Sequence, residues 1–149
     1  MKNFLKSTIT AVTTIMLVTT ASNVQAEEKS LYARLGGYDA IAAVTKDLAG
    51  RLMADPKLGR FWAHRGKDGI EREVQLIVDF LAAKSGGPLY YRGREMKISH
   101  VGMKIDEKDW QALMKHVFAT AEKFKIPPRE AKELVTFLES TKKDIVEVK

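Results

Sequence analysis

The amino-acid sequence predicts an all-α fold, on three observations. Apolar residues return at helical spacing in four long segments. No segment alternates with the period of two that marks a half-buried strand. Glycine pairs, prolines and an Asp-Pro step punctuate the chain between those segments. The 149 residues are 45% hydrophobic, which suits one domain with its own core and not a disordered chain.

Taken in order, Ser30 caps a short helix, SLYARL, which Gly36-Gly37 ends. A second helix is expected from Tyr38 to Ala54, with Ile41, Val44, Leu48 and Leu52 on its apolar stripe. Asp55-Pro56 stops it, because the residue before proline is pushed out of the helical region. KLGRFW reads as a tight turn carrying two large aromatics, and residues 63–69 as a polar loop. A third helix is expected from Ile70 to Lys84. Val74, Ile77, Val78 and Leu81 form one apolar face and Leu76, Phe80 and Ala83 a second, so this helix needs cover on more than one side. Ser85-Gly86-Gly87-Pro88 ends it. Asp106 caps the next helix, with Asp109 in its first turn, and Trp110, Leu113, Met114, Val117 and Ala121 turn inward. Ile126-Pro127-Pro128 breaks the chain. Proline then opens a last helix with Ala131, Leu134, Val135, Leu138 and Ile145 inward.

The first 26 residues read as a cleavable secretory signal. Lys2 and Lys6 precede a threonine-rich apolar run too short to span a bilayer, and Val24-Gln25-Ala26 precedes an acidic pair. Cleavage after Ala26 would leave residues 27–149 as one domain without a membrane span, in the periplasm or secreted.

Composition removes several classes of function. Without cysteine there is no disulfide, no thiolate metal site and no covalent c-type haem attachment. Of the formal net charge of +6, two units belong to Lys2 and Lys6, and the rest are interspersed. No basic stripe with interleaved aromatics appears, which argues against nucleic acid as a partner. The chain shows no phosphate-binding glycine loop and no nucleophile turn. Its three histidines, His64, His100 and His116, are too far apart in sequence to suggest a zinc site.

His100 has the richest surroundings, YYRGREMKISHVGMKI. Met96 and Met103 flank it at about one helical turn, and Arg92, Arg94, Lys97 and Lys104 supply charge. That mixture suits a flat apolar cofactor with an anionic edge and an axial imidazole. It also suits an ordinary histidine on a mixed helix, and the residues alone leave both readings open.

The order of the punctuation is more specific. LYARLGGYDAI, then LMADPKLGRFW, then FLAAKSGGPLYYRGREMKISHVGM resembles the truncated haemoglobins, most closely group 1, over Leu31 to Ile145. The resemblance implies a two-over-two helical sandwich holding non-covalent haem b. It implies His100 as the proximal iron ligand, Phe61 packed on the porphyrin, and Trp62 where a second Phe is more usual. It puts Ile77, Tyr91 and Met96 in the pocket wall and Arg94 and Lys97 by the propionates. The distal side departs from the family. The usual tyrosine position falls on Ala49, after Leu48, and the usual glutamine position on Ile77, with Glu73 one turn earlier. Neither Ala49 nor Ile77 can donate a hydrogen bond to bound O₂. The expectation is therefore a protein that binds diatomic ligands (O₂, NO, CO) in a largely apolar pocket and is suited to NO or peroxide handling, including dioxygenase- or peroxidase-like activity. The alternative is a periplasmic electron-transfer or haem-relay protein with a redox partner, His64 or Met53 then reaching the iron.

Overall fold

The computed structural model describes residues 28–148. The expected signal segment and its cleavage point at Ala26 lie outside the described residues. Six helices follow one another: α1 (Leu31–Arg34), α2 (Gly37–Ala54), α3 (Lys67–Lys84), α4 (Met96–His100), α5 (Glu107–Lys123) and α6 (Pro128–Ile145). A 3₁₀ turn at Gly59–Phe61 carries the first of the two aromatics between α2 and α3. Among the described residues, β pairing is limited to one isolated bridge between Asp106 and Val148.

The helices form two layers. α2 packs on α3 in one and crosses α5 to reach the other, where α5 meets α6 through its side chains. The α5/α6 layer closes through Trp110, Met114 and Ile145, with Ile105 from the preceding loop. Trp110 Nε1 donates to Glu139 Oε1 at 3.2 Å, so the buried indole keeps its hydrogen bond. The α2/α3 layer closes through Ile41, Val78 and Ala82, against which Tyr32, Leu35 and Tyr38 pack. The short α4 rests on α6.

Two helices begin earlier than the apolar pattern predicts. α3 opens at Lys67, so the last three residues of the expected polar loop belong to its first turn. That turn is held by Asp68 at the positive end of the helix dipole and carries no apolar residue to report it. α2 opens at Gly37, directly after a left-handed Gly36. The buried stripe of α2 is also rotated by one residue. Ile41, Thr45, Ala49 and Leu52 are buried, while Val44 and Leu48 are only half-buried. Small side chains sit at the crossings with α3 and α5, where helix axes approach most closely. On α6, Ile145 is buried and the other expected inward residues are half-buried.

Polar contacts fix the crossings. Asp106 and Asp109 form a reciprocal capping box at the start of α5. Arg34 clamps α1 to α6, its Nε donating to the buried Glu130 at 2.9 Å and its guanidinium also meeting Glu133. At the end of α2, Asp55 accepts from the amides of Lys57 and Leu58 and from His116 Nε2 at 2.7 Å. The His116 contact, then those amides, hold the Asp55 carboxyl down at about 2. His116 thus pins α5 to the end of α2 rather than lying free on a helix flank.

Candidate functional site

The proximal side is built by the segment from Tyr91 to Ile105. Tyr91 folds its ring over Gly93, where a Cβ would lie 2.0 Å from the phenol oxygen, so a larger residue there would push the ring aside. The Tyr91 hydroxyl donates to the Arg94 carbonyl at 3.1 Å. Its ring meets Phe80 of α3 edge-on at 5.2 Å, and Phe80 meets Phe137 of α6 at 5.6 Å. This aromatic row ties the segment to α3 and α6, and burial pushes the Tyr91 phenol upward in pKa.

His100 is half-buried at the end of α4. Its Nδ1 lies 2.8 Å from the Met96 carbonyl oxygen. A carbonyl can only accept, so Nδ1 carries a proton, and in the neutral ring the lone pair is on Nε2. Met96 and Met103 pack against the Ile105/Trp110/Met114/Ile145 cluster, as do Phe61, Leu113, Val117 and Val135. Arg94 and Lys97 are exposed, and neither has a carboxylate partner among the described residues.

Phe61 and Trp62 are half-buried and set edge to face, with centroids 6.4 Å apart. The Arg60 guanidinium lies 4.2 Å over the Phe61 ring. The same guanidinium grips the buried Asp109 carboxylate with two bonds, of 3.0 and 2.8 Å. Asp109 therefore holds the turn that presents Phe61. A cavity of about 80 Å³ lies here, touched by Phe61, Trp62, Met103 and Leu113.

On the distal candidates, Ala49 is buried and Leu48 half-buried on α2, while Glu73 and Ile77 stand one turn apart on α3. Glu73 Oε2 lies 2.7 Å from Arg65 Nη1. The contact is a charge pair whose angle makes no hydrogen bond, and that oxygen has no other protein partner. Gln75, two residues from Ile77, is engaged elsewhere, donating to Asp79 at 2.9 Å and contacting the Tyr38 hydroxyl. His64 is exposed in the loop before α3.

A second, larger cavity of about 210 Å³ lies between α2, α5 and α6 and is almost wholly apolar. Leu48 lines it, with Val44, Val117, Leu134 and Leu138, whereas His100, Phe61 and Ile77 do not. The Thr45 hydroxyl, 1% exposed, also lines it and has no partner. The sequence pointed to neither this hydroxyl nor the Arg65–Glu73 pair, since the first depends on how helices cross and the second on how the loop before α3 folds back along it.

A free imidazole nitrogen, thioether and aliphatic neighbours and unpaired cations nearby are the groups a haem needs for its axis, its faces and its propionates. With six helices in a two-over-two sandwich, they define a globin. Comparison with known proteins agrees. The bacterial-like globin family model matches residues 30–147. The chain is 25% identical over 118 residues to the group 1 truncated haemoglobin of Tetrahymena pyriformis, covering 79% of this chain and 95% of that one. It is 33% identical over 88 residues to the group 1 truncated haemoglobin of Nostoc commune, covering 59% and 72%. A crystal structure of a Tetrahymena pyriformis truncated haemoglobin variant in its Fe(III) form superposes with a TM-score of 0.72 at 26% identity, over 79% of this chain and 98% of that one. The 2/2 haemoglobin of Synechococcus sp. PCC 7002 superposes equally well at 22% identity and shares the fold. The chain belongs to the bacterial-like globin family, and its cofactor is haem.

Proposed function

We propose that this globin holds haem b through His100 and binds diatomic ligands on the opposite side, against Ala49 and Ile77. The observation that carries the proposal is the His100 ring: Nδ1 is committed to the Met96 carbonyl, and Nε2 is left to ligate. When bound, haem iron supplies the open coordination position for the gas. The protein's own residues do the rest. Phe61 and Met96 would pack on the macrocycle, with Trp62, Ile77 and Tyr91 completing the wall, and Arg94 and Lys97 would meet its propionates. Ala49 and Ile77 keep the gas side apolar, Leu48 on the same helix as Ala49 lines the larger cavity, and Glu73, one turn before Ile77, is balanced by Arg65.

A pocket without a donor at positions 49 and 77 holds O₂ weakly, which favours NO or ferric-haem chemistry over oxygen storage. Oxidation of nitric oxide by O₂ to nitrate, or reduction of peroxide to water, are the activities such a site would serve, with the electrons each needs supplied by a redox partner. We read residues 1–26 as the export signal that places this chemistry in the periplasm or outside the cell. The test of the site is His100→Ala expressed with ample haem. Loss of the haem band, restored by imidazole in His100→Gly, supports the proposal. Full haem retention with an unchanged Soret band refutes it.

A further inference from the structure

We infer that Glu147 is a positioning residue for the proximal histidine, acting through the backbone of the loop that follows it. The inference rests on the reading of His100 as the iron ligand. After α6 the chain runs back along the α4–α5 loop. The amides of Glu147 and Val148 both donate to the Ile105 carbonyl, at 2.9 and 3.1 Å, and Val148 bridges to Asp106. The Glu147 side chain then grips the loop itself. Its Oε1 accepts from the Gly102 amide at 2.7 Å and its Oε2 from the Lys104 amide at 2.6 Å. One carboxylate thus holds two amides of a three-residue stretch.

That stretch needs a holder. Gly102 and Lys104 both have left-handed backbones, with φ of 86° and 55°. Lys104 carries a Cβ, so its conformation is disfavoured without outside support. Alternation of left-handed residues turns amides toward one side, the arrangement that receives an anion. The loop is tied in turn to the histidine, because the Met103 amide donates to the His100 carbonyl at 3.1 Å. α4 is short, with five residues, no side-chain cap and no buried residue, and it is held from outside by its packing on α6 and by this loop. The ring of His100 is therefore held on one side by Met96 and on the other through a loop whose shape Glu147 sets. Glu147 is exposed, so burial does not account for its place; the two charge-assisted bonds do.

The test uses the haem-loaded full-length protein and two readouts. These are the iron–histidine stretching band of the ferrous form by resonance Raman, and the rate of haem transfer to excess apomyoglobin. Glu147→Ala should shift or broaden the band and speed haem loss roughly tenfold, the effect of one charge-assisted bond coupled to the histidine. Glu147→Gln keeps the size and one acceptor oxygen, and should fall between. Lys142→Ala removes the 2.9 Å pair to Glu107, another polar tie between the end of α6 and α5, without touching the loop. Its band should stay at the wild-type position. An unchanged band and rate in both Glu147 variants would overturn the inference, and so would an equal shift in Lys142→Ala, which would mark general loosening. Absence of any iron–histidine band in the wild type would overturn the reading of His100, and this inference with it.

Discussion

Replacing Arg60 by alanine should destabilise the protein in a pH-dependent way, and the size of the effect can be worked from Asp109. That carboxylate is 1% exposed, takes both Arg60 bonds, accepts from the Asp106 amide and has Lys57 Nζ at 3.4 Å. Burial alone pushes the carboxyl upward. The Arg60 fork, then the backbone at Asp106 and Lys57, outweigh it and bring the value from 3.8 to about 2. A gap of nearly two units corresponds to about 2 kcal/mol of stability at neutral pH. Without Arg60 the buried charge keeps Lys57 and its cap, so the loss should be about 2–3 kcal/mol, at or below the low end for a stranded buried charge. For a chain of this size that is a fall of about 10 °C in Tm. The folded value lies below the unfolded one. The stabilisation is therefore complete above about pH 4 and disappears as pH falls towards 2, and the gap between wild type and variant should close over that window. Urea titrations of the haem-loaded protein, followed by Soret absorbance and Trp fluorescence together, measure the gap and check that one transition is seen. A variant within 0.5 kcal/mol of wild type at pH 7, about the spread of ordinary surface substitutions, would refute the reasoning. So would a gap that stays constant on acidification.

Further expectations concern the pocket and the chain's processing. Ala49→Tyr, alone or with Ile77→Gln, should slow O₂ release at least about tenfold while changing CO release little, as read by stopped-flow displacement; slow release in the wild type that Glu73→Ala abolishes would show that the pocket already has a donor. Removing haem should raise amide exchange in α3 and in residues 90–105 more than elsewhere, because a ligand bound only by the native state stabilises what it touches. Mass spectrometry of the protein from its native envelope should find a chain that begins near Glu27, and recovery of the intact chain would count against export.

Much of the fold was legible because helix periodicity and punctuation are local. The Asp106 cap, the Gly86 stop after α3 and the proline opening of α6 are each written within a few residues of one another. The start of α3 was not, because its first turn is polar and gives no period to read. The stripe of α2 was misread by one residue because large side chains mark a periodicity, whereas Thr45 and Ala49 mark a crossing. The site divides the same way. GREMKISH can be recognised as a segment, but the contact that orients His100 is the Met96 carbonyl, which depends on the turn actually formed. Arg60 meets Asp109 across 49 residues and His116 meets Asp55 across 61, and no local pattern predicts either pairing.

The cavity beneath Leu48 and Thr45 bears on how the molecule responds to compression. A water needs two to four polar partners to settle in such a space, and of the hydroxyls on this wall those of Ser85 and Thr120 already bond elsewhere, which leaves that of Thr45. Internal void volume is lost when a chain unfolds, and hydrostatic pressure favours the unfolded state as that volume grows. Filling the space from Ala121 or Ala131, both of which line it, should therefore harden the globin against pressure by more than its gain in thermal stability would suggest.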